Sequence, residues 1–177
     1  MRTSFKVKIF LFSVMLTVSS FAQQISKPDW SGYNFLIGEW IGEGSGSAGE
    51  ATGSSTFSFD LQNSVIIRKS FAEYPAASNR PAFRHDDLMI IYQENKTIKA
   101  MYFDNENHVI NYTVGFSTDS SSIVFVSEPS TKSPRFRFTY TKYEVNRLKF
   151  SFEFAPPGKP EEFSKYLDGI VKKKTDK

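Results

Sequence analysis

The residues able to do chemistry are few and poorly clustered along the chain. His85-Asp86-Asp87 combines metal-ligand side chains in one tract, and His108 is the only other histidine. Adjacent strand residues point to opposite faces, so at most two members of the tract converge, short of the four ligands of a structural zinc site. The tract reads as a solvated hairpin face, and His108, beside a turn, as a surface residue. Gly44-Ser-Gly-Ser-Ala-Gly49 fits the pattern Gly-x-Gly-x-x-Gly. Such a loop cradles phosphate only where a strand runs into a helix, whereas residues 51–61 alternate as a strand and no Lys follows Gly49. With no Gly-x-Ser-x-Gly elbow and no Cys, a nucleophile for acyl transfer is not visible. The chain is therefore read as a non-enzyme, with no metal and no cofactor.

What remains is aromatic. The chain carries 18 Phe and 8 Tyr, and many of them alternate with polar residues. Phe57 and Phe59, Tyr112, then Phe136, Phe138 and Tyr140, then Phe150, Phe152 and Phe154 fall on single faces of strands. If Trp40 points inward, parity brings Gly42, Gly44 and Gly46 with it. An inward face of this kind is either a packed core or the lining of a cavity. For a cavity, Trp40, Tyr102, Tyr112, Arg137, Phe138, Tyr140 and Phe152 are the candidate ligand-binding residues. The phenols are its polar handles, because a buried phenol needs a hydrogen-bond partner.

The ends of the chain bound the class. Arg2, Lys6 and Lys8 precede an apolar run at residues 9–18, and Ser20-Phe21-Ala22 supplies small residues at a cleavage site. That run is short of the roughly 20 residues a spanning helix needs, so residues 1–22 read as a cleaved signal peptide. No Cys follows for lipid attachment. The expected destination is periplasmic or secreted, without membrane insertion of the mature chain. Residues 23–177 have the size of one domain. Three of the 22 Lys and Arg, and none of the 19 Asp and Glu, lie in residues 1–22, so the remainder carries 19 of each. This balance gives no basic face, and nucleic-acid binding is not expected. The Lys-rich end, Lys172 to Lys174 and Lys177, reads as a solvated terminus.

Positioning these residues calls for strands. A short helical turn is predicted over 29–36, and from Glu39 onward the hydrophobic period is two. Strands are predicted at 51–61, 65–74, 83–93, 97–104, 108–116 and 122–127. Alternating runs follow from Arg135 and from Leu148, and a last strand at 162–172. The faces of 65–74 are the least cleanly divided. Short turns between about ten strands imply an antiparallel meander, whose Phe-rich face must close or be exposed. An all-β up-and-down barrel is expected, with a two-sheet sandwich as the other solution of the same alternation.

Leu36-Ile-Gly-Glu-Trp-Ile-Gly-Glu-Gly44 resembles the first strand of calycin-like barrels, the group of lipocalins, fatty-acid-binding proteins and nitrobindins, with Gly38-Glu39-Trp40 as the Gly-x-Trp motif. Together with Tyr92, Tyr102-Phe-Asp104 and His108, it looks like a bacterial secreted lipocalin-like domain family of unknown function, with nitrobindins as distant relatives. The resemblance implies a barrel of about ten strands with an internal cavity. Nitrobindins ligate heme through a histidine in the final strand, and residues 162–172 contain none, so heme is disfavoured here. The Arg-x-Tyr pair by which fatty-acid-binding proteins hold a carboxylate is missing, since Arg137 and Tyr140 are three apart and face opposite ways on a strand. The expected partner is a small apolar or amphipathic ligand inside the barrel. The alternative is a non-enzymatic envelope module acting through its surface or its loops at 75–81 and 129–134. Oligomeric state is open.

Overall fold

The computed structural model describes residues 27–44, 51–78 and 80–175. The predicted signal peptide, Gly46, Gly49, Asn79 and Lys177 lie outside the described residues. A 3-10 helix, Ser31–Leu36, leads into ten strands: β1 (Gly38–Gly42), β2 (Thr52–Asp60), β3 (Val65–Tyr74), β4 (Phe83–Glu94), β5 (Thr97–Asp104), β6 (Val109–Phe116), β7 (Ser122–Ser127), β8 (Arg135–Glu144), β9 (Arg147–Ala155) and β10 (Ser164–Lys173). Each pairs antiparallel with its sequence neighbours. β1 then pairs with β10, Trp40 opposite Lys173, so the sheet closes into a barrel rather than splitting into a sandwich. Closure removes the free edges of the meander. Among the described residues no helix is long and apolar enough to cross a membrane.

The last strand starts at Ser164, later than its polar-apolar alternation indicates. Pro156, Pro157 and Pro160 break the chain after β9, and residues 159–162 form a turn in which the Glu162 N–H donates to the Lys159 carbonyl at 3.0 Å. Nor is the basic end loose at Lys173 and Lys174. Lys173 lies over the Trp40 ring at 5.5 Å, and Lys174 Nζ donates to Glu39 at 2.9 Å.

The two barrel ends differ. At one, the connections are tight: Leu61, Gln62 and Asn63, Asn95 and Lys96, Ser120, and Asn146 adopt positive φ, the left-handed backbone of short hairpins. The 3-10 helix plugs this end. Trp30 Nε1 donates to the Asn63 carbonyl at 2.9 Å, Trp40 Nε1 donates to Leu36 at 2.6 Å, and Tyr33 packs edge-on against Trp30 and Phe116. Leu36, Trp40, Phe57, Ile66, Ile91, Ile123 and Phe125 fill the barrel above the plug and are at most 2% exposed. The other end carries the longer connections and every proline after Pro28. Residues 75–82, 128–134 and 156–163 are there because proline cannot donate to a ladder and so collects outside it.

Candidate functional site

The packed half stops at the level of Arg68 and Met89. Above it the barrel is a cup of about 440 Å³, open among the described residues at the proline-rich end. That volume lies within the range of small-molecule sites. The two readings of the aromatic face, core and cavity, thus describe different halves of the same barrel. Phe57 belongs to the packed half. Phe136, Phe138, Phe150, Phe152 and Phe154 line the cup, as do Gly42 and Gly44.

Its walls divide by chemistry. While Phe71 and Phe83 come from β3 and β4, strands β8 to β10 contribute the five other lining phenylalanines, Leu167 and Tyr166. The last sits where the β9–β10 register shifts between Lys165 and Leu167, and this bulge lets its ring contact Phe152 and Phe154, both on the inner face. Strands β3 to β5 contribute Arg68, His85, Asp87, Tyr102 and Asp104, with Glu106 and His108 from the turn that follows. Register places them. Arg68 is opposite Phe57 and Met89, Ser70 is opposite Asp87, and Asp87 is opposite Asp104, so all share the inward face.

Arg68 and Asp87 form a salt bridge with side chains only 4% and 7% exposed. Arg68 Nη1 also donates to the Tyr140 hydroxyl at 2.9 Å, and the guanidinium lies 5.2 Å from the Phe138 ring centre. Its Nε is enclosed without a partner. Burial works against the guanidinium charge, but Asp87 and the surrounding phenol oxygens outweigh it and hold Arg68 charged.

Nearer the mouth runs a second network. His85 Nδ1 faces Glu106 Oε1 at 2.9 Å, and His85 Nε2 faces the Tyr102 hydroxyl at 3.0 Å. Tyr102 in turn donates to Asp104 Oδ2 at 3.2 Å, which also receives His108 Nδ1 at 2.9 Å. Burial pushes the Asp104 carboxyl upward, yet the backbone N–H and ring of His108 and the N–H of Glu106 together hold it below the ordinary carboxylate value. Burial raises the phenols of Tyr102, Tyr112 and Tyr140, which stay protonated. The Tyr112 hydroxyl makes no hydrogen bond among the described residues.

Tyr102, Tyr112, Phe138, Tyr140 and Phe152, predicted as ligand-binding, all line the cup. Trp40 does not: it lies beneath, in the packed half. Arg137 points outward, where it is held by Glu153 at 2.7 and 2.8 Å and covers the Phe163 ring at 4.1 Å. Its odd spacing from Phe138 and Tyr140 puts it on the other face of the strand. The arginine inside the cup is Arg68, which sequence reasoning missed because β3 carries a cation on each face, Arg68 and Lys69. His85 and Asp87, two apart, face inward together with Nε2 and Oδ2 3.9 Å apart, while Asp86 turns outward to Arg84. The signal that would have found them is register. A strand pair that fixes Phe57 inward fixes Arg68 with it. Among the described residues, no group of three His, Asp or Glu side chains has the arrangement of a metal site.

No family model matches this chain, and no curated protein matches it. Fold and cavity define the class: a closed ten-stranded antiparallel β-barrel, compatible with the calycin-like fold.

Proposed function

We propose that this protein binds a small apolar or amphipathic molecule in the open half of its barrel, as a secreted or periplasmic lipocalin-like protein that holds its ligand without transforming it. The observation that carries the reading is the cup itself, about 440 Å³ with a phenylalanine wall facing a polar one. A purely structural barrel gains by filling its interior, as the lower half does, because side chains around a void lose packing contacts. Leaving the upper half open while concentrating polar side chains there favours an occupant that covers the phenylalanines and meets the polar groups. Delivery outside the cytoplasm rests on the positively charged and apolar segments within residues 1–22.

Gentle native mass spectrometry on protein purified from its own host, together with titration by decanol, tests the proposal. The expected result is a retained small molecule or saturable decanol binding, either abolished by Ala72→Trp, which places an indole in the mouth from β3. An empty barrel that also ignores decanol would overturn it.

A further inference from the structure

We propose that the ligand carries a cationic, hydrogen-bond-donating head, an ammonium group on an apolar body, seated along the polar wall of the cup formed by Asp87, Asp104, Glu106, Tyr102 and Tyr112. This deepens the binding reading above and rests on it.

The carboxylates lining the cup are Glu43, Asp87, Asp104 and Glu106, and Arg68 is the lining cation other than the histidines. Arg147 holds Glu43 from the outside, and Arg68 is matched by Asp87. Of the basic side chains, Asp104 and Glu106 meet only the rings of His108 and His85, and among the described residues no lysine or arginine lining the cup pairs with them. Arg80 stands at the rim over the rings of Tyr74 and Phe83, at 5.3 and 5.0 Å, and does not line the cup. An anionic head gains little from Arg68, whose Nη atoms are engaged by Asp87 and Tyr140 and whose Nε is enclosed. It would also sit beside two carboxylates, and like charges within a few ångströms are costly in a dry site.

A carboxylate only accepts, so the Nδ1 of His85 that faces Glu106 carries the ring proton, and Nε2 of the uncharged ring is an acceptor. Tyr102 has one proton and two acceptors within reach, His85 Nε2 at 3.0 Å and Asp104 Oδ2 at 3.2 Å. One of them is always left over. Asp87 meets Arg68 through Oδ1, while its Oδ2 comes no closer than 3.9 Å to His85 Nε2. The hydroxyl of Tyr112, a residue 3% exposed, has no partner among the described residues and offers both a lone pair and its proton. Asp87 Oδ2 and the Glu106 carboxylate therefore keep accepting capacity toward the cup, and an ammonium brings donors to it. The facing phenylalanines suit it too, since aromatic ring faces attract cations.

Titration calorimetry at neutral pH with decylammonium, decanol and decanoate tests the inference. Decylammonium is expected to bind about tenfold more tightly than decanol, with decanoate weakest. Glu106→Gln and Asp104→Asn are each expected to lower the decylammonium affinity several-fold, about the scale of one lost charge contact, and to lower that for decanol by a smaller factor. Glu106 is half exposed at the rim, so its variant reports even where Asp104→Asn fails to fold. Decanol or decanoate binding as tightly as decylammonium would overturn the head-group assignment while leaving the binding reading intact. Failure of all three ligands would overturn the head-group assignment, and together with an empty barrel by native mass spectrometry it would overturn the binding reading as well.

Discussion

Arg68 Nη1 donates to the Tyr140 hydroxyl at 2.9 Å, joining residues 72 apart in sequence. β3 and β8 stand five strands from each other in either direction around the ring, so this bond spans the barrel at its full width. It lies on the boundary between the packed half, where Phe57 meets the Tyr140 ring edge-on at 5.3 Å, and the open cup. With Asp87, it forms the polar floor of the site.

That floor predicts a strongly non-additive mutant cycle. Asp87→Asn strands the buried guanidinium and is expected to cost about 3–5 kcal/mol, whereas the double variant Arg68→Met with Asp87→Leu, which removes both charges, should lie much closer to the parent protein. Urea unfolding of Asp87→Asn, of the single variants Arg68→Met and Asp87→Leu, and of the double variant measures this. Additive losses would contradict a paired floor.

The glycines of β2 and β6 should respond oppositely to alanine. A Cβ at Gly53 would lie 2.3 Å from the Phe71 carbonyl oxygen, which is backbone of the adjoining strand and cannot swing away. Gly53→Ala is therefore expected to destabilise by about 1–3 kcal/mol, the usual scale of overpacking. At Gly115 a Cβ meets nothing within 4 Å. Gly115→Ala should stabilise by roughly 0.5–1 kcal/mol through reduced freedom of the unfolded chain. Thermal unfolding of both proteins decides the signs.

Acid sensitivity is expected from the turn between β6 and β7. The Ser117 hydroxyl, then the backbone N–H and hydroxyl of Ser121, donate to Asp119 and hold its carboxyl down at about 2. A depressed folded value means that the contribution is complete above the unfolded value of 3.8 and is lost as pH falls toward 2. The stability gap between parent and Asp119→Asn, followed by circular dichroism, should narrow over that window. A gap independent of pH would show that the turn does not depend on the charge.

Alkali should act late and cooperatively. Burial pushes Tyr33 up to about 12, and Tyr102, Tyr112 and Tyr140 are raised by burial as well. A raised folded value stabilises fully below the ordinary 10.0 and loses that contribution as pH climbs through the folded value. Tyrosinate absorbance from these four residues is expected to rise together with loss of the barrel's circular dichroism. Their ionisation in an intact barrel near pH 10 would refute the burial described for them.

Much of the fold is legible in local pattern. Phe136, Phe138 and Tyr140 alternate with arginine and threonine, and Leu148, Phe150 and Phe152 with lysine and serine, because each strand residue's face is set by its own parity. The prolines at 75, 81, 129, 134, 156, 157 and 160 likewise mark one barrel end, since each must lie outside a ladder. Tyr102, Tyr112, Phe138, Tyr140 and Phe152 reach the cup by that same parity. Arg137 fails by it, one residue out of phase with its neighbours.

By itself the sequence determined the period-two strands, the aromatic inner face and the turns, all properties of neighbours a few residues apart. Only the tertiary structure decided which strand pairs with which at closure, how far up the barrel the packing extends, and that Arg68 lies inside. Those depend on register summed around the ring and on β1 meeting β10. Contacts between residues as distant as Arg68 and Tyr140 exist only after the sheet has closed, and no local pattern encodes them.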